Sequence, residues 1–574
     1  MELVEISIEN FRGIRSLLLP FEDLTVLIGE NNTGKSTVLE ALRLILTRGF
    51  SARKDARFTE YDFHLKDAVA TPQTADPISI VLHFAEKQED DWPDPIVQQM
   101  SEVIQFDQDG IQHIWLQAKG SYLTESGSFE TSWAFLDSSG AELILKNATP
   151  LNLITRFVPL FFLSAIRNAS QEFSQRGQFW SGFLKSIELP DEERDRIEEM
   201  LQEVNTKVIG ANEGLTEVTN RIAEAKRLVP LDSSDPVVLE AIPTRVFDMV
   251  GKIQVHLKSS YGAKLPLHRH GEGTQSLAVL MLFQAFTAAN LAEAYTPEST
   301  PLLALEEPEA HLHPSAIRSL GSFFESMTGQ IIVTSHSGDL ISKVPILSLR
   351  RLYKVNGETK IGRVETGTFS DRELQAIDYT IRLTRGHYLF SRCWLLVEGE
   401  SDYHLMPLIF DILGYSQDQI SFSILEISQV INKGEPLIKF AKSLGVQWFL
   451  MADGDSAGND YVARANNYLE IGENLADRAR TLTYPDVEHE FWNNGYQAFI
   501  ENMVTATRKR QIASEAAGDA AKETKLLIKA AIKNAGGKPA FAQALATEIR
   551  RRGIDEIPQT IKDIITRVVQ LAGD

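Results

Sequence analysis

The stretch LTVLIGENNTGKSTVLEALRLIL, residues 24–46, decides the fold. LTVLIG is a short apolar run that stops at a glycine, the pattern of a buried strand. GENNTGKST (29–37) fits G-x-x-x-x-G-K-[ST] with Gly29, Gly34, Lys35 and Ser36, and VLEALRLIL continues with helical periodicity. Each position has a physical reason. Glycines let backbone N–H groups wrap phosphates, the Lys35 ammonium offsets β/γ-phosphate charge, and the Ser36 hydroxyl suits Mg²⁺. Asn31, Asn32 and Thr37 complete the loop, and the helix N-terminus supplies a dipole for the anion. Strand, loop and helix in this order predict an ATP-binding α/β domain.

Upstream, Val4, Ile6 and Ile8 alternate with polar residues, so residues 2–28 read as strands. NFRG (10–13) reads as a turn with Arg12 exposed. Three further pieces lie far downstream. HGEGTQSLAVLMLF (270–283) is a glycine-rich turn opening an apolar helix. PLLALEEPEAHLHP (301–314) is a buried strand ending in Glu306 and Glu307, and QIIVTSHSGDL (330–340) is another ending near His336. Singly, each is equally well a turn, a strand end with capping acids and a structural histidine; their order after a P-loop is what counts.

That order resembles the ABC-type ATPases of the SMC/Rad50/RecF-like branch, over roughly residues 1–385. The resemblance implies a signature motif at GEGTQ, with Gly271, Gly273 and Gln275 reaching the ATP of a second copy. It implies Glu306 as the Mg²⁺-holding Walker B acid, Glu307 as the base that orients water, His336 as the γ-phosphate sensor and Arg12 as a nucleotide contact. Two departures stand out: the Walker B acid is usually Asp, and the signature is not of the serine-glycine-glycine-glutamine form. No long coiled-coil arm separates P-loop from signature. Instead, Ile197, Leu201, Val204 and Val208 form one stripe and Leu215, Val218 and Ile222 another, across GANEG (210–214). A helical hairpin insert over about 175–230 is expected, suited equally to a four-helix dimer interface or to packing on its own domain.

The second half changes pattern. CWLLVEGESDYHLMPLIFDILG (393–414), FSILEIS (422–428) and LGVQWFLMADGDSAG (444–458) alternate apolar strands with helical stretches, which predicts a parallel sheet. Strand C-termini in such a sheet converge on one edge, which brings Glu398 toward Asp453 and Asp455. Several carboxylates at one edge call for an oxygen-liganded cation, Mg²⁺ or Mn²⁺ rather than zinc. An Asx turn alone would also explain Asp453-Gly-Asp455; Glu398-Gly399 on a neighbouring strand argues against that.

These motifs resemble the Toprim domain of type II topoisomerases, primases and some nucleases. Its fusion to an ABC ATPase resembles the OLD (overcoming lysogenization defect) family of ATP-dependent nucleases, in a YbjD-like branch. The resemblance spans essentially the whole chain. It implies an ATPase domain over 1–385, a Toprim domain over 386–500 and a C-terminal helical part over 501–574. It further implies Glu398, Asp402, Asp453, Asp455 and Glu488 as metal ligands, with Glu490 in reserve, and Lys538 as a catalytic cation. ATP and Mg²⁺, with Mn²⁺ as an alternative at the Toprim edge, are the expected cofactors. DNA and a homodimer or larger homo-oligomer are the expected partners, leaving room for a second defence or repair protein.

Composition sets the remaining bounds. At 574 residues, with 43% hydrophobic and 24% charged, the chain is expected to hold two to four domains. A single cysteine, Cys393, excludes an intramolecular disulfide and a primase-type zinc ribbon. MELVEISIENFRG lacks the basic and apolar regions of a secretory signal, and VPLFFLSAI (158–166) is too short to span a bilayer. A cytoplasmic protein is expected. The net charge of −21 disfavours a general nucleic-acid coat protein. Yet residues 501–574 hold 13 Lys and Arg against 9 Asp and Glu. Arg508-Lys509-Arg510 and Arg550-Arg551-Arg552, taken alone, are equally well solvated helix faces. The expected function is an ATP-hydrolysing, metal-dependent DNA endonuclease in bacterial repair or phage defence. The alternative is a RecF-like ATP-dependent DNA clamp whose Toprim domain does not cut.

Overall fold

The computed structural model describes residues 1–46, 58–67, 69–125, 127–146, 149–164, 190–223, 242–246, 256–258, 264–294, 298–384, 386–428, 430 and 434–573. The first strands are β1 (Glu2–Phe11), β2 (Ile14–Pro20) and β3 (Leu24–Gly29). Then come β4 (Ile78–Ala85), β5 (Gln105–Phe106), β6 (Gln112–Leu123), β7 (Ser128–Leu136) and β8 (Leu160–Leu163). A small ribbon follows, β9 (His256–Lys258) with β10 (Lys264–Pro266). After it run β11 (Leu302–Glu306), β12 (Gln330–Thr334), β13 (Leu349–Val355) and β14 (Glu358–Arg363). The last four strands are β15 (Cys393–Val397), β16 (Phe422–Glu426), β17 (Gln447–Ala452) and β18 (Ala479–Thr481).

An antiparallel sheet runs β2-β1-β4-β6-β5, with β7 added on β6. Its β1 register shifts between Leu3 and Glu5. Such a bulge moves one residue out of the pleat, so Leu3, Ile6 and Ile8 are buried while Val4 is only half-buried. The simple alternation expected from Val4 is corrected by that bulge.

The central sheet runs β14-β13-β3-β12-β11-β8 and is parallel except at β14. Parallel strands are covered on both faces, which is why LTVLIG, LLALE and QIIVT read as nearly unbroken apolar runs. Glu306 pairs with Thr334, and Thr334 with Leu27. The P-loop after Gly29, the acids at 306–307 and the turn at 335–336 therefore open on one edge.

A third, wholly parallel sheet runs β16-β15-β17-β18. Val397 pairs with Glu426 and Met451, and Ala452 with Thr481, so Glu398, Asp453 and the turn after β18 share an edge. The β18 strand has three residues, too few to show a period.

The two faces of β15 explain how the parts join. Cys393, Leu395 and Val397 pack into a core with helices Glu400–Ile412, Lys538–Arg552 and Gln559–Gly573. Trp394 and Leu396 point the other way, into a core that also holds Val26, Ile28, Leu303 and Val333 of the central sheet. One apolar core thus crosses the boundary expected near residue 386.

Helices Asp191–Gly210 and Glu213–Ala223 form the expected hairpin; residues 175–189 and 224–230 of that insert lie outside the described residues. The stripe is only partly covered within the chain. Leu201 is buried beside Asn205, which exchanges hydrogen bonds with the Ile242 carbonyl (2.7 Å) and N–H (2.9 Å). Ile197 and Leu215 are half-buried, whereas Met200, Val204, Val208 and Val218 are exposed. Among the described residues, no helix is long and apolar enough to cross a membrane.

Candidate functional site

Two edges carry the chemistry. At the first, Gly29 has no room for a side chain: a Cβ there would stand 2.1 Å from the Leu352 carbonyl oxygen. The loop then folds back so that Lys35 Nζ donates to the carbonyls of Gly29 (2.8 Å) and Glu30 (2.7 Å). Lys35 is buried at the head of helix Lys35–Leu46, with Ser36 exposed, Thr37 and Gly34 half-buried, and Asn31 and Asn32 exposed. Burial lowers the Lys35 pKa to about 8, against the pull of Glu307 and Glu30.

Glu307 closes this edge. Its backbone sits at φ 44, a left-handed conformation unusual for a non-glycine residue, held by its N–H donating to the Thr334 carbonyl (3.0 Å). His336 Nε2 lies 3.4 Å from Glu307 Oε1. Burial, then the Lys35 charge, lowers the His336 pKa, with Glu307 opposing. P-loop lysine, strand-end acid and histidine therefore meet, as expected from order and spacing, while Glu306 ends β11 half-buried.

One residue was missed. Glu309 Oε1 accepts from Ser335 Oγ (2.6 Å) and from the His336 N–H (2.8 Å), fixing the turn that aims His336. Its Oε2 is buried without a hydrogen-bond partner, and burial raises its pKa. The third acid of EEPEA was the available signal.

The signature residues and Arg12 make other contacts. Gly273 opens helix Glu272–Ala294 against the loop at His311, whose carbonyl oxygen would lie 2.4 Å from an added Cβ. Gln275 Nε2 donates to the His270 carbonyl (2.7 Å), and Gly271 is exposed. Arg12 stands in the expected turn but is half-buried. Its Nε pairs with Asp62 Oδ1 at 2.8 Å, and Glu40 lies 3.5 Å from Nη2, so intramolecular acids engage it.

At the second edge, Glu398 Oε2 accepts the Asp453 N–H (3.0 Å), and Asp402 Oδ2 accepts the Gly399 N–H (3.1 Å). Gly454 is pressed against the turn after β18, where a Cβ would stand 2.4 Å from the Tyr484 carbonyl oxygen. Glu488 Oε1 accepts from Ser401 Oγ at 2.6 Å. Burial, then Glu488 and Glu398 among the neighbouring acids, raises the Asp402 pKa to about 7. Burial, then Asp402, Glu398, Asp486 and Glu488, raises that of Asp453 to about 8. Burial and Asp486 likewise raise Glu488, against the charge of Lys538.

Five carboxylates thus feel one another, including Asp486, which no short motif marks. Burial would raise Asp486, but hydrogen bonds from His489 lower it instead. Lys538 reaches the same edge from the start of its helix, with Nζ 3.8 Å from Glu400 Oε2. Asp455 stands differently: its Oδ1 caps helix Ser456–Ala465 through the N–H groups of Ala457 (2.8 Å) and Gly458 (2.9 Å). Glu490, held in reserve, accepts the Thr483 and Tyr484 N–H groups and is a structural brace.

Among the described residues, no three His, Cys, Asp or Glu side chains stand in the arrangement that encloses an ion. Glu398 and Asp402 accept backbone N–H groups, and Glu488 a serine hydroxyl. The donor set nevertheless fits a divalent cation: oxygen ligands only, strong mutual repulsion, and Asp402 Oδ1 buried without a hydrogen-bond partner.

A family model described as protein of unknown function (DUF2813) matches residues 1–387. One described as overcoming lysogenization defect protein-like, TOPRIM domain, matches residues 389–455. The chain is similar to the uncharacterized protein YbjD of Escherichia coli (strain K12), 26% identical over 587 residues that cover 100% of this chain and 99% of that protein. It is also similar to the OLD nuclease of Thermus scotoductus, 24% identical over 474 residues covering 79% and 82% respectively. Among solved structures, an Smc head bound to the C-winged helix domain of ScpA aligns with a TM-score of 0.38 and 14% identity, covering 64% of this chain and 99% of that one.

Proposed function

The chain belongs to the DUF2813 family and carries an OLD-like Toprim domain, and from that premise we propose that it is an ATP-hydrolysing, divalent-metal-dependent DNA endonuclease. The observation that carries the reading is the edge where Glu398, Asp402, Asp453, Asp486 and Glu488 face one another with an unpartnered buried oxygen on Asp402.

Glu398, Asp402, Asp453 and Glu488 would hold the metal, and Asp455 has Oδ2 to offer while Oδ1 caps its helix. Bound Mg²⁺ or Mn²⁺ would supply Lewis acidity and an activated water for phosphodiester hydrolysis. Lys538 adds positive charge for the scissile phosphate, and Glu400 steers its ammonium. At the other edge Lys35 and Ser36 would hold ATP phosphates and their Mg²⁺, with Glu307 placed to orient a water and His336 beside it, 3.4 Å from Glu307. In a homodimer, Gly271, Gly273 and Gln275 would face the ATP of the second copy. The exposed Met200, Val204, Val208 and Val218 suit an apolar contact between hairpins.

DNA as substrate is supported by helix Ala520–Ala535, where Lys522, Lys525, Lys529 and Lys533 are all exposed. At 100° per residue they fall on one face, opposite the buried Leu527, Ile528 and Ala531. The helix leads through Gly536 and Gly537 to Lys538. The setting we propose is bacterial DNA repair or phage defence, with or without a second protein.

The test is supercoiled plasmid incubated with Mg²⁺ or Mn²⁺, with and without ATP. Wild type is expected to nick or linearise it, Asp453→Ala to lose cutting by about 10²-fold or more while still hydrolysing ATP, and Lys35→Ala to lose ATP hydrolysis. Intact plasmid under every condition, or undiminished cutting by Asp453→Ala, sinks the nuclease reading. The backbone engagement of Glu398 and Asp402 favours a second reading, a DNA clamp whose Toprim domain recruits rather than cuts. It predicts salt-sensitive DNA binding without cleavage.

A further inference from the structure

The P-loop and the third sheet meet through polar contacts that neither edge requires for itself. Glu30 directly follows Gly29, and its carboxylate receives Arg392 as a two-pronged fork: Nε to Oε1 at 2.6 Å and Nη2 to Oε2 at 2.8 Å. Ser421 Oγ adds a weaker bond to Oε1 at 3.4 Å. The Arg392 guanidinium holds the Glu30 carboxyl below its ordinary range.

Arg392 occupies an unusual place. It immediately precedes β15, the strand whose other end presents Glu398. Its N–H donates to the Ser421 carbonyl (2.7 Å), just before β16, and its carbonyl accepts the Gln447 N–H (2.8 Å), at the start of β17. One residue therefore ties the roots of three strands of the acid-edged sheet, and its side chain holds the P-loop.

The opposite flank is held by strand pairing and a buried arginine. Leu352 pairs with Gly29, and the adjacent Arg351, 3% exposed, donates to the carbonyls of Ser391 (3.0 Å), Leu444 (3.2 Å) and Gly445 (3.1 Å). Cavities of about 370 and 420 Å³ flank the Glu30–Arg392 pair; Arg351, Tyr353 and Gly445 line one, and His336, Phe390 and Ser421 the other. The pair therefore has open space on both sides.

We infer that Arg392 is a positioning residue that carries the nucleotide state of the P-loop to the strand holding Glu398. Lys35 Nζ, now bonded to the Gly29 and Glu30 carbonyls, forms stronger charge-assisted bonds with phosphate. Phosphate binding therefore frees the Glu30 carbonyl, and the Glu30 peptide turns. The fork on its carboxylate fixes angle as well as distance, so the turn is passed to Arg392 and the three strand roots. The inference rests on the proposed ATP and metal sites, but its test does not require cutting.

Hydrogen exchange of residues 392–402 in the full-length protein, with and without magnesium–ATP or a non-hydrolysable analogue, reads the coupling directly. Nucleotide affinity is measured alongside with a fluorescent analogue. In wild type, nucleotide is expected to change exchange there by about fivefold or more, the lower end of typical site–site coupling. Arg392→Gln abolishes that change while nucleotide still binds, and Arg392→Lys, which keeps the charge but not the fork, retains part of it. Retention of the full change in Arg392→Gln, or nucleotide binding to wild type with no change at these amides, overturns the inference. Intact plasmid together with coupled exchange overturns only the nuclease reading and leaves this one standing.

Discussion

Asp402 is buried with one carboxylate oxygen lacking a hydrogen-bond partner, a position a carboxyl tolerates by keeping its proton or by meeting a cation. Burial, then the neighbouring acids, pushes it up to about 7 and Asp453 up to about 8. Both groups hold a proton in the folded protein at pH values where the unfolded chain has lost it. Their contribution to stability is therefore complete below about pH 4 and is lost as pH rises through about 7 to 8. The melting temperature of metal-free protein is expected to fall between about pH 5 and pH 8. Mg²⁺ or Mn²⁺ should restore it more at pH 8, because ligation favours the deprotonated carboxylates. Asp402→Asn should flatten the profile. Calorimetry across that range checks this, and metal stabilisation equal at both ends would contradict it.

At the scale of the element, helix Ala520–Ala535 carries lysines that repel one another at three- and four-residue spacing, a small cost in a chain of net charge −21. From Lys522 to Lys533 the stripe is about 17 Å long, some five steps of one DNA strand. If all four contact phosphate, replacing them with glutamine lowers the slope of log affinity against log salt by about 3 to 4. Filter binding in chelator, where nothing is cut, checks this, and an unchanged slope would move the DNA contact elsewhere. In the hairpin, Asn205 is tied to Ile242, a polar contact 37 residues away, beside the buried Leu201, while Val204, Val208 and Val218 stay exposed.

Across the whole molecule, the core that receives Trp394 and Leu396 also holds the P-loop strand, so ATPase and Toprim parts should not unfold separately. Trp394 is fully buried, and Trp394→Ala is expected to cost about 3–5 kcal/mol and to lower the midpoint of one cooperative transition. Two calorimetric transitions, only one of them shifted, would refute a common unit.

The central sheet, the P-loop and the strand-end acids were legible because each is local: a run of apolar residues followed by a fixed spacing of glycine, lysine or acid. Glu398, Asp402, Asp453 and Lys538 were likewise legible from short motifs and the family they resemble. Glu309 and the Glu30–Arg392 fork were not, since each acts through a partner supplied by a remote turn or strand root, and Asp486 was not because the acids it faces, Asp402 and Asp453, come from other elements. The bulge in β1 and the three-residue β18 escaped for a related reason, being set by neighbouring strands rather than by their own pattern. By itself the sequence determined which strands end in which chemistry. Only the tertiary structure decided which of those ends face one another, because like charges gather on one edge only where packing of distant strands outweighs their repulsion.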